Sequence, residues 1–458
     1  MDSSRSGAGV HPVEDASGFR GWAEQLHTPA TESAAVALLR EAHARRIPVT
    51  IAGAGTGVTG GRVAQGGWLL SLAKLNRLEV QRGRAQAGAG VLLRDLHAAA
   101  AASGQFYPPD PTETGASLGG TLATNASGAR SFRFGDTRRH VLRLRAALMD
   151  GAVLDVRRGD AVDFPVPALA LPDTTKHTAG YPLRPGMDWI DLLIGSEGTL
   201  AVVLEAEVRL LPAPETLLSG VVFFPGDDAA IDAVESWRFH DPPRMLEYLD
   251  ESSLALLRHR YPEIPAAARA ALLIEDDRAA EAWADRVERS GALAEDSWFG
   301  ISASDRERFR RFRHTLPELV NDLVRRRGFM KFGSDFAVPL ARNREMLACY
   351  HQVLSRDFPD SSVLFGHIGD AHLHANLLPA SADDCTRASA AMLELARHAV
   401  ALGGTVSAEH GLGKRKAHLL DLQYQPAELE AMKEVKRRLD PHWLLGRGTL
   451  FPPPEDRP

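Results

Sequence analysis

Residues able to do chemistry gather late in the chain, in VLFGHIGDAHLHANLL, Val363 to Leu378, where three histidines and one asparagine interrupt an apolar run. Gly366 and Gly369 argue against a helix, so the stretch reads as two strands around a turn at Asp370-Ala371. A two-residue turn there would set His367 directly opposite His374. Period-two alternation then puts His372, His374 and Asn376 on one face. A lone buried histidine is more often structural, whereas this grouping suits a site.

Further on, GGTVSAEHGLGKRK offers Glu409-His410 on a tight glycine turn. Two imidazoles and one carboxylate make a shell for a divalent ion such as Zn²⁺, with a coordination position left for substrate. His367, His374 and Glu409 are the candidate ligands, which leaves His410 free to act as a base. The plainer reading of Glu409 is a salt-bridged loop glutamate.

A second centre lies early, in IPVTIAGAGTGVTGG, Ile47 to Gly61, an apolar strand running into a glycine-rich loop. Such a loop lets backbone N–H groups converge on an anion, and phosphate is the usual guest. Val58 stands where a dinucleotide fingerprint needs its third glycine, and no Gly-Lys-Ser/Thr follows, so neither a Rossmann nor a Walker loop is indicated.

The elements that must position these groups follow from pattern. Thr31 and the stretch after it predict a capped amphipathic helix with Val36, Leu39 and Ala42 inward. Strands are expected at Trp68–Leu72 and around Gln86–Gly88, with a helix over Val91–Ser103, a mixed α/β alternation. Residues 1–28 read as mobile apart from a short docking helix at Trp22 and Leu26. Phe106 to Val141, rich in proline and glycine, suits a chain wrapped around a ligand, with Gly119, Gly120 and Gly128 allowing close approach and Asn125 and Ser127 supplying polar contacts. Asp150-Gly151 predicts a hairpin. The proline-marked exit at Leu211 to Glu215 is the first domain boundary. Beyond it come strands at Gly220–Phe224 and Ala271–Glu275, a basic helix over Ser304–Arg327, a strand at Lys331–Pro339, and helices at Cys385–Leu402 and Pro426–Leu439. The proline-rich tail after Phe451 reads as frayed.

The chain is long enough for two or three domains at 458 residues, and its 44% hydrophobic and 24% charged content is that of a globular protein. A net charge of −6 with both signs mixed gives no nucleic-acid stripe. Cys349 and Cys385 are too few for a disulfide framework or a four-thiolate cluster. Without a signal-like start or a long apolar run, a cytoplasmic protein, with peripheral membrane contact left open, is expected.

Taken together, AGAGTGVTGG, PPDPTE, GGTLATNASG, GSEGTL, GHIGDAHLHAN and SAEHG, in that order from Pro29 to Phe451, resemble the FAD-linked oxidoreductases of the vanillyl-alcohol-oxidase type. The resembling branch holds D-lactate and D-2-hydroxyglutarate dehydrogenases and the FAD subunit of glycolate oxidase. The resemblance implies an α+β fold: a two-part FAD-binding domain of PCMH type over residues 1–214, a cap domain on an antiparallel sheet over 215–416, and a returning helical segment over 417–458. It assigns Gly53, Ala54, Gly55, Thr56, Gly57, Val58 and Thr59 to the FAD pyrophosphate. Pro109, Asp110, Thr112, Gly119, Gly120, Asn125, Ser127 and Gly128 fall to the isoalloxazine and ribityl chain, and Glu197, Gly198 and Val203 to the adenine side. His367, His374 and Glu409 become ligands of Zn or Mn, His410 the base, and Arg313, Lys331 and Asn376 substrate contacts.

Three departures stand out. Ala371-His372 occupies the place of the family's usual Gly-Asn, Gly446-Arg447-Gly448 replaces a terminal Asn-Pro-Gly, and the glycine loop lacks the histidine of covalent flavin binders, which implies dissociable FAD. The resemblance further implies a small D-2-hydroxy acid as substrate, a separate electron acceptor (a quinone, an electron-transfer flavoprotein or a cytochrome), and a homodimer as one possible assembly. Two other readings share the pattern: a flavoenzyme without net redox turnover, of the alkyl-dihydroxyacetonephosphate synthase type, and an FAD-carrying electron-transfer subunit.

Overall fold

Residues 10–239 and 242–453 are described by a computed structural model. Thr31 Oγ1 accepts from Ala34 N at 3.2 Å and starts the helix Glu32–Ala44, whose Ala35, Val36, Leu39 and Ala42 are buried. The chain then enters strand Val49–Ala52, which pairs in parallel with Trp68–Ser71, itself parallel to Gln25–His27. The docking helix expected near Trp22 is absent. That stretch forms strands Arg20–Ala23 and Gln25–His27, the first paired antiparallel to His11–Glu14. Backbone bonds to neighbours, such as Trp22 N to Ala64 O at 2.8 Å, override the weak helical pattern. The expected mobility of residues 1–9 and the fraying of 454–458 fall outside the described residues.

A second sheet of the same half is antiparallel throughout, in the order Val153–Arg157, Val141–Ala147, Val202–Arg209, Arg84–Gly88, Leu78–Gln81. Against it lies a helix absent from the expected wrapped loop, Leu118–Thr124, capped by Ser117. Gly119 is small there because a Cβ would meet the Ala89 side chain at 2.7 Å, just past the end of strand Arg84–Gly88.

The remaining large sheet runs Trp298–Gly300, Leu218–Phe224, Ala270–Asp276, Met245–Leu249, Ser362–His367, His372–Leu377, Phe332–Gly333, with every pairing antiparallel. Phe336–Ala337 also pairs with His372–Leu377. Both of its faces are covered. Val221, Phe223, Leu249 and Leu273 pack with Phe309, Phe312 and Leu316 of helix Ala303–Arg327, whereas Val222, Phe224, Leu272 and Ile274 join the main core. Such strands read as unbroken apolar runs, as residues 270–274 do.

The histidine hairpin differs from expectation in register. His367 faces His372, and His374 faces Phe365. The connection takes four residues, Ile368 to Ala371, with Ala371 at φ +51°. Asp370 is drawn inward, accepting from Ser131 Oγ at 2.9 Å, and Gly369 sits where a Cβ would press on Phe132. A slip of two residues leaves each side chain on its face, so the shared face of the cluster survives. After helix Pro426–Leu439 the chain returns to the first sheet, where Val49 N donates to Leu444 O at 2.8 Å.

Candidate active site

A cavity of about 1490 Å³ is lined both by the glycine loop and by His367, His374, Glu409 and His410. The N–H groups of Ala54 through Thr59 find no acceptor among the described residues. Neighbours hold the loop open: Gly60 N donates to Asp15 Oδ2 at 2.6 Å, Ala16 N to Gly57 O at 3.1 Å, and Lys414 N and Arg415 N to Thr59 O at 3.1 and 3.0 Å. Free donors on a loop without bulky side chains are the cradle a pyrophosphate requires. The cavity also exceeds the ~300–1,000 Å³ of ordinary small-molecule sites, as a dinucleotide demands. The residues present therefore fit FAD.

Gly53 to Thr59, Thr112, Gly119, Gly120, Ser127, Glu197, Gly198 and Val203 all line this cavity. Pro109, Asp110, Asn125 and Gly128 do not. Asn125 caps its helix in the left-handed region, giving Nδ2 to Asp136 at 2.7 Å and accepting from Arg138 N at 2.9 Å. Asp110 faces Arg130 at 3.3 Å. Gly128 has φ +124° and packs directly on the Asp110 carbonyl. The polar signal of these residues comes from loop architecture. Glu197 lines the cavity yet spends both oxygens on the chain just past His410, accepting from Leu412 N at 2.8 Å and Gly413 N at 2.7 Å. Burial pushes its carboxyl up to about 7.

At the histidines, Glu409 Oε1 lies 3.2 Å from His367 Nε2, 3.4 Å from His374 Nε2 and 3.9 Å from His410 Nε2. Its other oxygen accepts from Ser127 Oγ at 2.8 Å and from Lys176 Nζ at 3.1 Å. Lys176 is fully buried and also meets Asp370 Oδ2 at 3.3 Å. Burial opposes both charges, but each sustains the other: Lys176 and then His367 hold Glu409 well below the carboxylate range, while Glu409 and Asp370 raise Lys176. One oxygen thus stays turned to the imidazoles, and the donor set of two histidines and a carboxylate fits a divalent ion.

Asp335 organises the turn that carries His410. Its carboxylate accepts from Ser407 Oγ at 2.8 Å and His410 N at 2.9 Å, and its Oδ1 lies 3.5 Å from His410 Nδ1. The expected strand at Lys331–Pro339 breaks into Phe332–Gly333 and Phe336–Ala337 so that Ser334 and Asp335 can turn inward. Burial, then Asp335 in the opposite sense, leaves His410 lowered to about 4, an unprotonated acceptor at neutral pH. Burial likewise holds His372 well below its usual value.

Arg313, expected to grip a substrate carboxylate, is engaged otherwise. Its Nε and Nη2 both hold Glu247, the second at 3.1 Å, and Glu247 Oε1 is 2.5 Å from His367 Nδ1. Lys331 and Asn376 line the cavity, and burial lowers the Lys331 amine. Sequence reasoning missed Lys176, Glu247, Asp335 and Asp370. Lys176 sits in a stretch without periodicity, and Glu247 takes its meaning from the strand order that brings it beside His367.

Residues 213–450 match the family model described as FAD linked oxidases, C-terminal domain, and residues 23–157 match an FAD binding domain. The chain belongs to the FAD-linked oxidases. Among relatives of this family, D-lactate dehydrogenase of Archaeoglobus fulgidus is 30% identical over 432 residues, 92% of this chain and 90% of that one. D-2-hydroxyglutarate dehydrogenase of Xanthomonas citri pv. viticola is 30% identical over 441 residues, covering 91% and 86%. Glycolate oxidase subunit GlcD of Bacillus subtilis is 28% identical over 474 residues, covering 98% and 94%. In fold, this FAD-linked oxidase resembles alkyldihydroxyacetonephosphate synthase, with a TM-score of 0.67 at 15% identity over 94% of this chain and 76% of that one. Among the described residues no helix is long and apolar enough to cross a membrane.

Proposed function

We propose that this FAD-linked oxidase oxidises a D-2-hydroxy acid of the D-lactate or D-2-hydroxyglutarate class to the 2-oxo acid, with a divalent ion at His367, His374 and Glu409. The reading rests above all on one observation: the imidazole–carboxylate cluster lines the same cavity as the glycine loop. Similarity to relatives named for these substrates adds support. When bound, FAD supplies a hydride acceptor and the ion a Lewis acid that lowers the substrate hydroxyl's pKa. His410 takes the hydroxyl proton at Nε2, its other nitrogen turned to Asp335. Lys331 and Asn376 face the substrate's polar groups, and Arg313 keeps Glu247 against His367. Residues 1–214 bind the cofactor, 215–416 the substrate, and 417–458 return to the cofactor half.

Anaerobic mixing with D-lactate, D-2-hydroxyglutarate and glycolate tests this reading, with bleaching of the flavin absorbance expected for at least one. Silence with all three would favour a non-redox flavoenzyme or an electron-transfer subunit. His410→Ala should retain FAD and lose at least the ~10²–10⁴-fold that a general base supplies; rapid bleaching in that variant would remove His410 from the mechanism. Activity that survives thorough chelation would remove the ion.

A further inference from the structure

His372 has no task in the proposed reaction, yet it occupies the middle of the cluster. It is fully buried; its Nε2 faces Asp335 Oδ1 at 3.1 Å, and its Nδ1 makes no hydrogen bond among the described residues. Its ring centre lies 4.4 Å from that of His374 and 5.3 Å from that of His367. One ligand atom from each of His367, His372, His374 and Glu409 lies within 4.8 Å of the others. Asp335 is itself anchored: its Oδ2 accepts from Ser407 Oγ and the N–H groups of Ala408, Glu409 and His410, while its Oδ1 is the oxygen turned to His372. A water-excluded imidazole nitrogen without a bond asks for a missing partner.

We infer that His372 is a fourth protein ligand, so that this chain holds its ion with three imidazoles and one carboxylate. The inference deepens the metal-assisted reading above and rests on it. Facing Asp335 at one nitrogen is the usual arrangement of a ligating histidine, whose second nitrogen meets a carboxylate that fixes the ring. A 2-hydroxy acid binding through its hydroxyl and one carboxylate oxygen would then bring the total to six. Six ligands suit Mn²⁺, Fe²⁺ or Co²⁺, whereas four protein ligands complete the tetrahedral shell that Zn²⁺ prefers.

The test uses FAD-loaded enzyme stripped of metal and titrated with Co²⁺, recording affinity and the visible Co²⁺ spectrum. His372→Asn should keep its FAD, bind Co²⁺ at least tenfold more weakly and show an altered spectrum. Wild-type affinity with an unchanged spectrum would overturn the inference and leave His372 as a buried neighbour of Asp335. His367→Ala separates the two levels: if it takes up Co²⁺ as the wild type does, the metal reading itself has failed. X-ray absorption on the Co²⁺-loaded wild type needs no variant to fold; three imidazoles are expected, and two would overturn the assignment.

Discussion

Glu409 is gripped at one oxygen by Ser127 and Lys176 and left open at the other toward the histidines. A flexible carboxylate could rotate and chelate with both oxygens; here the buried ammonium forbids it. Lys176→Met keeps the length of the side chain and removes the charge, stranding Glu409 and Asp370. Breaking a buried pair in this way costs about 3–5 kcal/mol, so chemical denaturation should show a loss of that size. Glu197 yields a pH dependence. Its folded pKa, raised by burial to about 7 from an ordinary 4.5, means the folded state binds the extra proton. The stability it contributes is present below 4.5 and lost as pH rises through about 7. Thermal midpoints measured across that window should carry a downward component with rising pH that Glu197→Gln abolishes.

The turn from Ser407 to Gly413 is the element on which both centres depend. Asp335 binds its first half through side-chain and N–H donors, Glu197 binds its second, and Thr59 of the glycine loop accepts from the residues just after it. Gly413 has φ +56°, and a Cβ there would run into the Thr59 carbonyl. Gly413→Ala should therefore unseat the glycine loop and lower FAD retention, read as flavin absorbance after gel filtration. The helices Glu32–Ala44 and Pro426–Leu439 were legible because their caps and apolar spacing act locally. Much of the site was legible too, since histidine alternation survives a register slip of two. The slip itself was not legible, because Ser131 and Phe132, far away in sequence, decide how many residues the turn consumes. Nor were the strands before Glu32, which take much of their support from later segments: Gln25–His27 pairs with Trp68–Ser71, and Trp22 N donates to Ala64 O.

At the scale of the molecule, a seam of charge joins the loop after the cavity-lining helix Leu118–Thr124 to the large sheet. Arg130 holds Glu275 through two bonds, at 2.8 and 3.0 Å, and Asp110 at 3.3 Å; Arg133 reaches Asp277 at 2.7 Å, and Arg244 meets Glu275 at 3.1 Å. These groups are mostly hidden from water, so removing one member leaves others unpaired. Arg130→Met should loosen the docking of the two regions. Limited proteolysis should then cut faster near residues 110–135 while the far-ultraviolet circular dichroism stays native.

The divided grip on Glu409 has one more consequence. Because its anchoring donors come from residues 127 and 176 and its imidazole neighbours from 367 and 374, no fragment ending between them contains a complete centre. On the proposed reading, a nascent or partly unfolded chain would be chemically silent. The power to activate a substrate hydroxyl would then arise only once the electron sink is also in reach, with folding itself as the safety interlock.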